Sequence, residues 1–312
     1  MKKLLQLAPF LAGWLLLILS SSFQSMSLIN GAAQIVLFVF VVCIPTWRTG
    51  RMSYVDIGWP WGLVVIGAMT LWLADGDFTR VVLVSGLYFF MGGRMGIFAL
   101  KLWRGGWLAR ELPRYRYQAI RWQRAGIQNV AFAKQVEVLA QGLANASFLA
   151  MPAFIIAANP ASSISWLEWL GFAIAIAAFV LESVADQQKA AFISKSKKEG
   201  IRNGVCNVGL WHYTRHPNYF FEWMVWNGLI VMALPSIPRL FEAEMTIIAA
   251  LLVASLFFVS RIMFQTLVHF TGARPAEHFS VQKRPDYAEY QRTTNMFFPG
   301  PPRESSGDTR RS

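Results

Sequence analysis

Residues 245–269 read MTIIAALLVASLFFVSRIMFQTLVH, an apolar run with no Gly or Pro and with Arg261 as its one full charge. At about 1.5 Å of helical rise per residue, a run of this length covers a bilayer core of roughly 30 Å. Inside hydrocarbon the backbone must satisfy its own polar groups, so the run is read as a helix. Working outward, seven further windows have the same character, at about residues 4–20, 28–44, 54–74, 80–100, 136–158, 164–184 and 219–234. The expected fold is therefore all-α: a polytopic integral membrane helical bundle of about eight transmembrane helices.

Composition agrees with this reading. The chain has 312 residues, 55% of them apolar and 15% charged, against about 25% charged in an ordinary soluble domain. Its 13 Trp lie toward segment ends, where amphipathic rings meet lipid headgroups. Of the 29 Lys and Arg behind the net charge of +12, all but Arg80, Arg94, Arg239 and Arg261 fall on the side of the N-terminus. By the positive-inside rule both termini are then cytoplasmic. The basic excess is explained by orientation and by contact with anionic membrane lipids, so it does not argue for nucleic acid.

The first window follows Met1-Lys2-Lys3 and precedes Ser20-Ser21-Ser22, so it is an anchor helix or a signal peptide with a small-residue cleavage context. The anchor is preferred, because cleavage would leave seven spans. Residues 1–50 are expected to form N-terminal transmembrane helices, 51–298 a transmembrane catalytic domain and 299–312 a disordered tail rich in Pro, Gly, Ser and Arg. Cys43 and Cys206 read as reduced thiols.

Three polar stretches interrupt the apolar pattern. Residues 101–134 interleave Arg104, Arg110, Arg114, Arg116, Arg121 and Arg124 with Trp103, Trp107, Tyr115, Tyr117 and Trp122, the composition of an interfacial amphipathic segment. Residues 182–226 and 272–299 are also cytoplasmic in this topology. Neither G-x-G-x-x-G nor G-x-x-x-x-G-K-[ST] is present, so Rossmann and P-loop sites are excluded. Of four His, His212 and His216 stand at i, i+4, but without H-E-x-x-H, and no metal is expected. A G-x-S-x-G nucleophile elbow is also missing.

What remains is ionisable residues at helix ends. Glu182, Asp186 and Lys189 share one helical face by their i, i+4, i+7 spacing. Either that helix end emerges into water or the face looks at a ligand. Glu222 sits early in an apolar helix, with Tyr219 before it and Trp226 beyond, and a charge there points to function.

Between them runs Gly209-Leu210-Trp211-His212-Tyr213-Thr214-Arg215-His216-Pro217-Asn218-Tyr219, followed by Glu222 and Trp226. This stretch resembles the C-terminal signature of the steroid 5α-reductase family, in particular its bacterial branch. Asp186-Gln187-Gln188-Lys189 lies upstream; Gly272, Pro275, Glu277, Tyr287, Tyr290, Arg292, Thr294, Phe298 and Pro299 follow; and Tyr54-Val55-Asp56-Ile57-Gly58-Trp59 is similar to an N-terminal motif of that branch. The resemblance covers about residues 50–300. Its shorter core, R-H-P-x-Y, is shared with isoprenylcysteine and phospholipid methyltransferases.

The resemblance implies a cytoplasmic cofactor cavity for NADPH, hydride transfer to the activated C=C bond of a steroid-like or other lipophilic enone, and a place in a bacterial inner membrane. By similarity, Glu182 stands where the family has an Asn, Asp186 where an Asp helps hold the cofactor, and Tyr287 at a C-terminal Tyr near it. Glu222 and Trp226 also match family positions. Trp211 and Tyr213 of the motif join the same site. The residue chemistry is compatible: Arg215, Arg202 and Lys189 can meet phosphates, and His216, Asn218 and Tyr219 add neutral hydrogen-bonding groups. Pro217 biases His216 away from the α region, making the motif a turn into a helix. Animal members carry a Tyr-Arg pair where this chain has Gly204 and Val205, and a Gln-Glu pair where it has Val55-Asp56.

Hydride delivery builds charge on the carbonyl oxygen, which needs a donor. Asp56, expected protonated among Ile57, Trp59 and Trp61, is assigned that role, with Tyr54 as the alternative. Arg94 biases the same pocket or pairs structurally with Asp56, and Glu222 frames the nicotinamide. The second reading is a methyltransferase using S-adenosylmethionine, whose sulfonium would ask for Glu182, Asp186, Glu222, Trp211 and Trp226. A third, lipid binding or transport, finds no inverted repeat to support it.

Overall fold

In the computed structural model, residues 3–304 are described, and they contain helices and no strand. In chain order the α-helices are α1 (Ala8–Leu19), α2 (Gln24–Phe38), α3 (Ile44–Thr49), α4 (Val55–Leu73), α5 (Phe78–Arg104), α6 (Pro113–Arg124), α7 (Val130–Ala146), α8 (Met151–Ala157), α9 (Trp166–Lys198), α10 (Leu210–Tyr213), α11 (Pro217–Ala233), α12 (Ile237–Ala243), α13 (Thr246–Gln265), α14 (Ala273–Lys283) and α15 (Tyr287–Thr293). Seven helical segments among the described residues are long and apolar enough to cross a membrane: Gln24–Thr49, Val55–Leu73, Phe78–Arg104, Val130–Ala157, Trp166–Lys198, Pro217–Ala243 and Thr246–Lys283. The chain is an integral membrane protein with an all-α fold.

The expected first span is shorter than the window suggested. α1 has 12 residues, about 18 Å of helix. It ends because Ser20 turns extended and, with Ser21 and Ser22, gathers on Glu244: the Ser20 hydroxyl donates to it at 2.8 Å and the Ser22 amide at 2.7 Å. Burial would raise the Glu244 pKa, but hydrogen bonds from Ser22, Ser20 and Ser21 outweigh it and hold the carboxyl below its ordinary range.

The chain divides into two compact units. The first comprises Met1–Ala173 and Asn227–Arg261. Residues 1–50 do not stand apart in it, since α1 packs on α2 and α7, and α2 on α4. The α4–α5 contact is close because Gly92 faces the Pro60 carbonyl, where a Cβ would come within 2.4 Å of the oxygen. Buried amides tie α2, α4 and α7 together: Gln34 donates to the Gly62 carbonyl at 2.8 Å and Asn145 to the Trp59 carbonyl at 3.1 Å. Such bonds hold helices that lipid cannot drive together by hydrophobicity. Arg80 and Glu168, each 1% exposed, form a two-bond ion pair with Nε–Oε1 at 2.5 Å and Nη2–Oε2 at 3.1 Å.

α6 is amphipathic as expected. Its Tyr115 and Trp122 are buried in a cluster with Phe38, Val42, Met52 and Val55, while Gln123 and Arg124 are exposed. Glu111, just before it, accepts from the Met52 amide at 2.9 Å and the Ser53 amide at 3.0 Å, satisfying donors ahead of α4.

The second unit comprises Ile174–Trp226 and Ile262–Ser312. It joins parts of three expected spans to the polar stretches that follow or precede them, and contains α10, α14 and α15. Of the tail, 299–304 are held rather than loose: the Gly300 amide donates to the Tyr213 carbonyl at 3.1 Å and the Arg303 amide to that of Thr293 at 2.7 Å. Composition alone pointed the other way because it is blind to these backbone pairings. The expectation for 305–312 lies outside the described residues.

Candidate functional site

In the second unit the two halves of the signature meet. The backbone turns sharply at Gly209, whose φ of +56 is a region that favours glycine and whose Cβ would lie 2.5 Å from the Gln188 side chain. Gln188 accepts from the Leu210 amide at 2.9 Å, and the Trp211 indole donates to the Ala185 carbonyl at 2.8 Å. Lys189 Nζ sits over the Trp211 ring, 4.1 Å from its centre. The Asp-Gln-Gln-Lys run of α9 is thus the platform on which the Gly-Leu-Trp turn is seated.

Residues 213–216 then run beside 295–300. The Arg215 amide donates to the Asn295 carbonyl at 2.9 Å, and the Thr214 hydroxyl to the carbonyls of Met296 and Phe297 at 3.1 and 3.0 Å. Beneath them Glu277 of α14 gathers the signature's polar groups. It meets Arg215 through two bonds, Nε–Oε1 at 2.7 Å and Nη2–Oε2 at 3.2 Å. His216 Nε2 lies 3.2 Å from Oε1, and Gln291 donates to Oε2 at 2.7 Å. The remaining Arg215 nitrogen donates to the carbonyls of Gln291 and Thr294.

This corrects one expectation. Arg215 is not a free cationic fork for phosphate: it is buried, and its donors are occupied by Glu277 and two carbonyls, which neutralise and fix it. Its sequence neighbourhood shows a cation in a turn and cannot show that a carboxylate 62 residues away answers it.

A cavity of about 110 Å³ opens beside this network, lined by Lys189, Trp211, Arg215, His216 and Tyr287 among the expected residues. Arg284, Cys206, Ser280 and Tyr290 also line it and were not singled out as cofactor residues. The signal for Arg284 was its place three residues before Tyr287 in Arg284-Pro285-Asp286-Tyr287. Arg284 donates to the Gly204 carbonyl at 3.1 Å and to the Ser280 hydroxyl at 3.1 Å. Burial lowers the His216 pKa, with Glu277 opposing and Lys189 and Arg215 reinforcing. Burial raises the Tyr287 and Tyr290 phenols, and raises the Cys206 thiol against the pull of Lys189.

Other expected residues stand elsewhere. Arg202 and Tyr213 are exposed and do not line the cavity. His212 meets Asn207 at 3.0 Å, away from the partner of His216. Asn218 donates to Asp186 at 3.1 Å while its buried carbonyl oxygen accepts nothing. Tyr219 stacks on His216, ring centres 5.3 Å apart. Glu182 is buried, as is Trp226, and Glu222 is half-buried on α11.

Tyr54, Asp56 and Arg94 belong to the first unit. The Asp56 carboxylate accepts from the Tyr115 hydroxyl at 2.6 Å and lies 3.4 Å from Arg114. Among the described residues these two groups of the α6 segment meet Asp56, which does not bear out the structural alternative of an Asp56–Arg94 pair. A separation of 59 residues hid the Tyr115 contact from the sequence. Tyr54 accepts from Arg51 at 3.1 Å. Burial, reinforced by Asp56, holds the Tyr115 phenol well above its ordinary pKa.

The geometry amounts to a pocket walled by Lys189, Arg215 and Arg284, an indole and two phenols, together with apolar side chains, and Arg215 and His216 on its wall are tied to the buried Glu277. No curated protein and no solved structure matches the chain. A family model described as "Protein of unknown function (DUF1295)" matches residues 39–294, from the end of α2 to the Thr294 that receives Arg215. That match takes in well over half of the sequence and every residue that lines the cavity, and the chain accordingly belongs to the DUF1295 family.

Proposed function

We propose that the protein is a membrane-embedded, NADPH-dependent reductase of the activated C=C bond of a lipophilic enone. The observation that carries the reading is the charge of the cavity wall. Lys189 and Arg284 face the cavity, no carboxylate lines it, and among the described residues neither cation is ion-paired. A polyanionic dinucleotide suits such a wall. The sulfonium of S-adenosylmethionine does not, and Glu277, the carboxylate behind the Arg215 and His216 of that wall, is occupied by Arg215, His216 and Gln291.

The residues present fit the cofactor. Lys189 and Arg284 would meet phosphate oxygens, the Tyr287 ring stands on the same wall, and outside that lining the buried Asn218 oxygen offers an acceptor for an N–H such as a carboxamide's. NADPH, when bound, supplies the hydride. Asp186 orients the Asn218 amide, and Tyr219 stacks on a His216 that burial keeps neutral, so both rings can accept or donate one hydrogen bond without a second charge. The Arg215–Glu277 pair fixes the turn that presents them. Apolar helices around the site would bring a lipophilic substrate from the bilayer and limit water. The resemblance to the steroid 5α-reductase signature supports the same reaction class.

The test is calorimetric titration of purified, detergent-solubilised protein with NADPH and with S-adenosylmethionine, followed by NADPH consumption with Δ4-3-keto steroids as trial enones. Saturable NADPH binding is expected. Binding of S-adenosylmethionine with no response to NADPH would replace the reductase by a methyltransferase.

A further inference from the structure

We infer that the first unit carries a docking surface for the phosphodiester headgroup of an anionic phospholipid, formed by Arg48, Arg104 and Arg110 where two spans end. The surface belongs to the first unit alone and does not depend on the reductase reading. The spans Gln24–Thr49 and Phe78–Arg104 finish on the same side of the membrane, because a single span, Val55–Leu73, separates them. Contacts join their ends: Arg51 donates to the Ala109 carbonyl at 2.9 Å, and the Leu112 amide to the Ser53 hydroxyl at 2.9 Å. The opposite side is marked by the Asp77 amide, which donates to the Asn159 carbonyl at 2.9 Å.

Exposed tryptophans stand at both ends, as rings at headgroup level do, but their company differs. Trp47, Trp103 and Trp107 are each more than half exposed, and Arg48, Arg104 and Arg110, all exposed, follow them within three residues. At the other end Trp72 and Trp166 are as exposed, and the charges that follow them within three residues are Asp75 and Glu168. The Trp107 ring folds back toward the last turn of α5, since a Cβ on Gly105 would meet its Cδ1 at 3.1 Å and the Lys101 carbonyl at 3.3 Å. Indole and guanidinium thus share one elbow.

The positive-inside rule accounts for basic residues on this side but asks nothing of carboxylates. Here the carboxylates are turned inward. Glu111 accepts from the Met52 and Ser53 amides, Asp56 from the Tyr115 hydroxyl with Arg114 beside it, and Glu137 from the Gln118 amide at 3.3 Å. Among the described residues Arg48, Arg104 and Arg110 are left without an ion pair. The apolar face of α6 is also taken, because Tyr115 and Trp122 pack on Phe38, Val42, Met52 and Val55. What this edge offers the headgroup layer is therefore planar cationic donors and indoles rather than an inserted apolar stripe, and planar guanidinium donors suit a phosphate.

The experiment measures binding of phosphatidylglycerol and of phosphatidylcholine with the same acyl chains, by native mass spectrometry of the full-length protein released from mild detergent. Wild type is compared with the triple variant Arg48→Gln/Arg104→Gln/Arg110→Gln, with the charge-keeping triple variant Arg48→Lys/Arg104→Lys/Arg110→Lys, and with a control, Lys197→Gln/Lys198→Gln, from the exposed end of α9. Wild type should retain phosphatidylglycerol over phosphatidylcholine. The Gln variant should weaken phosphatidylglycerol by about fivefold per charge removed, roughly 100-fold in all, and leave phosphatidylcholine unchanged. The Lys variant should keep most of the preference, and the control should resemble wild type. Equal retention of the two lipids by wild type, or a preference that survives the Gln variant, overturns the assignment. An equal loss in the control overturns it too, since the attraction would then be diffuse charge rather than this edge. Glycerol 3-phosphate is expected not to displace phosphatidylglycerol; displacement would replace the lipid surface by a site for soluble phosphates.

Discussion

Arg215 and Glu277 hold each other through two hydrogen bonds, at 2.7 and 3.2 Å, with both side chains 7% exposed. The pair joins the signature turn to α14, and His216 shares its carboxylate. A buried pair of this kind stabilises chiefly by what its loss would leave behind, an uncompensated charge away from water. Arg215→Ala or Glu277→Ala should therefore lower stability by about 3–5 kcal/mol, read by thermal unfolding in detergent. The double variant should cost clearly less than the sum of the singles. A well-folded Arg215→Ala protein with unchanged Tm and lost NADPH affinity would return Arg215 to direct ligand contact.

His216 gives a pH dependence with a definite sign. Burial lowers its pKa from the ordinary 6.5, so as pH falls the unfolded chain takes up the proton first. The stability contributed by the neutral ring is present above about pH 6.5 and is lost as pH drops from there toward the folded-state value. Unfolding temperature measured between pH 8 and 5 should fall on the acid side, and His216→Asn should flatten that slope. An unchanged slope in the variant would assign it to another group.

Asp56 and Tyr115 make a coupled pair in the first unit, 2.6 Å apart. Removing either side strands a polar group, so Tyr115→Phe and Asp56→Ala should each cost about 1–3 kcal/mol, with strong non-additivity in the double variant. Lost turnover of an enone in an Asp56→Ala protein of unchanged Tm would instead make the carboxylate catalytic.

Arg80 is answered by Glu168 and by the carbonyls of Ala161 and Ser163, and Glu168 also accepts from the Ser165 amide at 2.7 Å. Arg80→Ala should destabilise by about 3–5 kcal/mol, while replacing both residues by Met should recover most of the loss. Equal destabilisation by the single and the double change would show that the carbonyl contacts, not the ion pair, carry the effect.

Orientation follows from the segregation of basic residues. Reporter fusions at Asp77, Asn159 and Ser236 should register the outer face, and fusions at Gly50, Gln128 and Gly200 the cytoplasm. Finding residues 101–134 and 189–215 on opposite faces would dismantle this topology.

The helices themselves were legible in the sequence, because an apolar run in hydrocarbon has no local alternative to satisfying its own backbone, and that requirement is met within four residues. The same local rules made Gly209 and Pro217 a turn, and made α6 amphipathic. Three things had no local signature. α1 stops at 12 residues because Glu244, 224 positions from Ser20, draws the serines off the helix. Arg215 reads as a ligand-seeking cation until Glu277, 62 residues on, neutralises it. Arg284 reads as an ordinary loop charge until it reaches the carbonyl of Gly204, 80 residues back, and becomes part of a cavity wall. Sequence fixes which side chains carry charge, but the partner each charge meets is set by contacts between distant segments. In an apolar surrounding that partner decides whether the charge is a strut or a binding group.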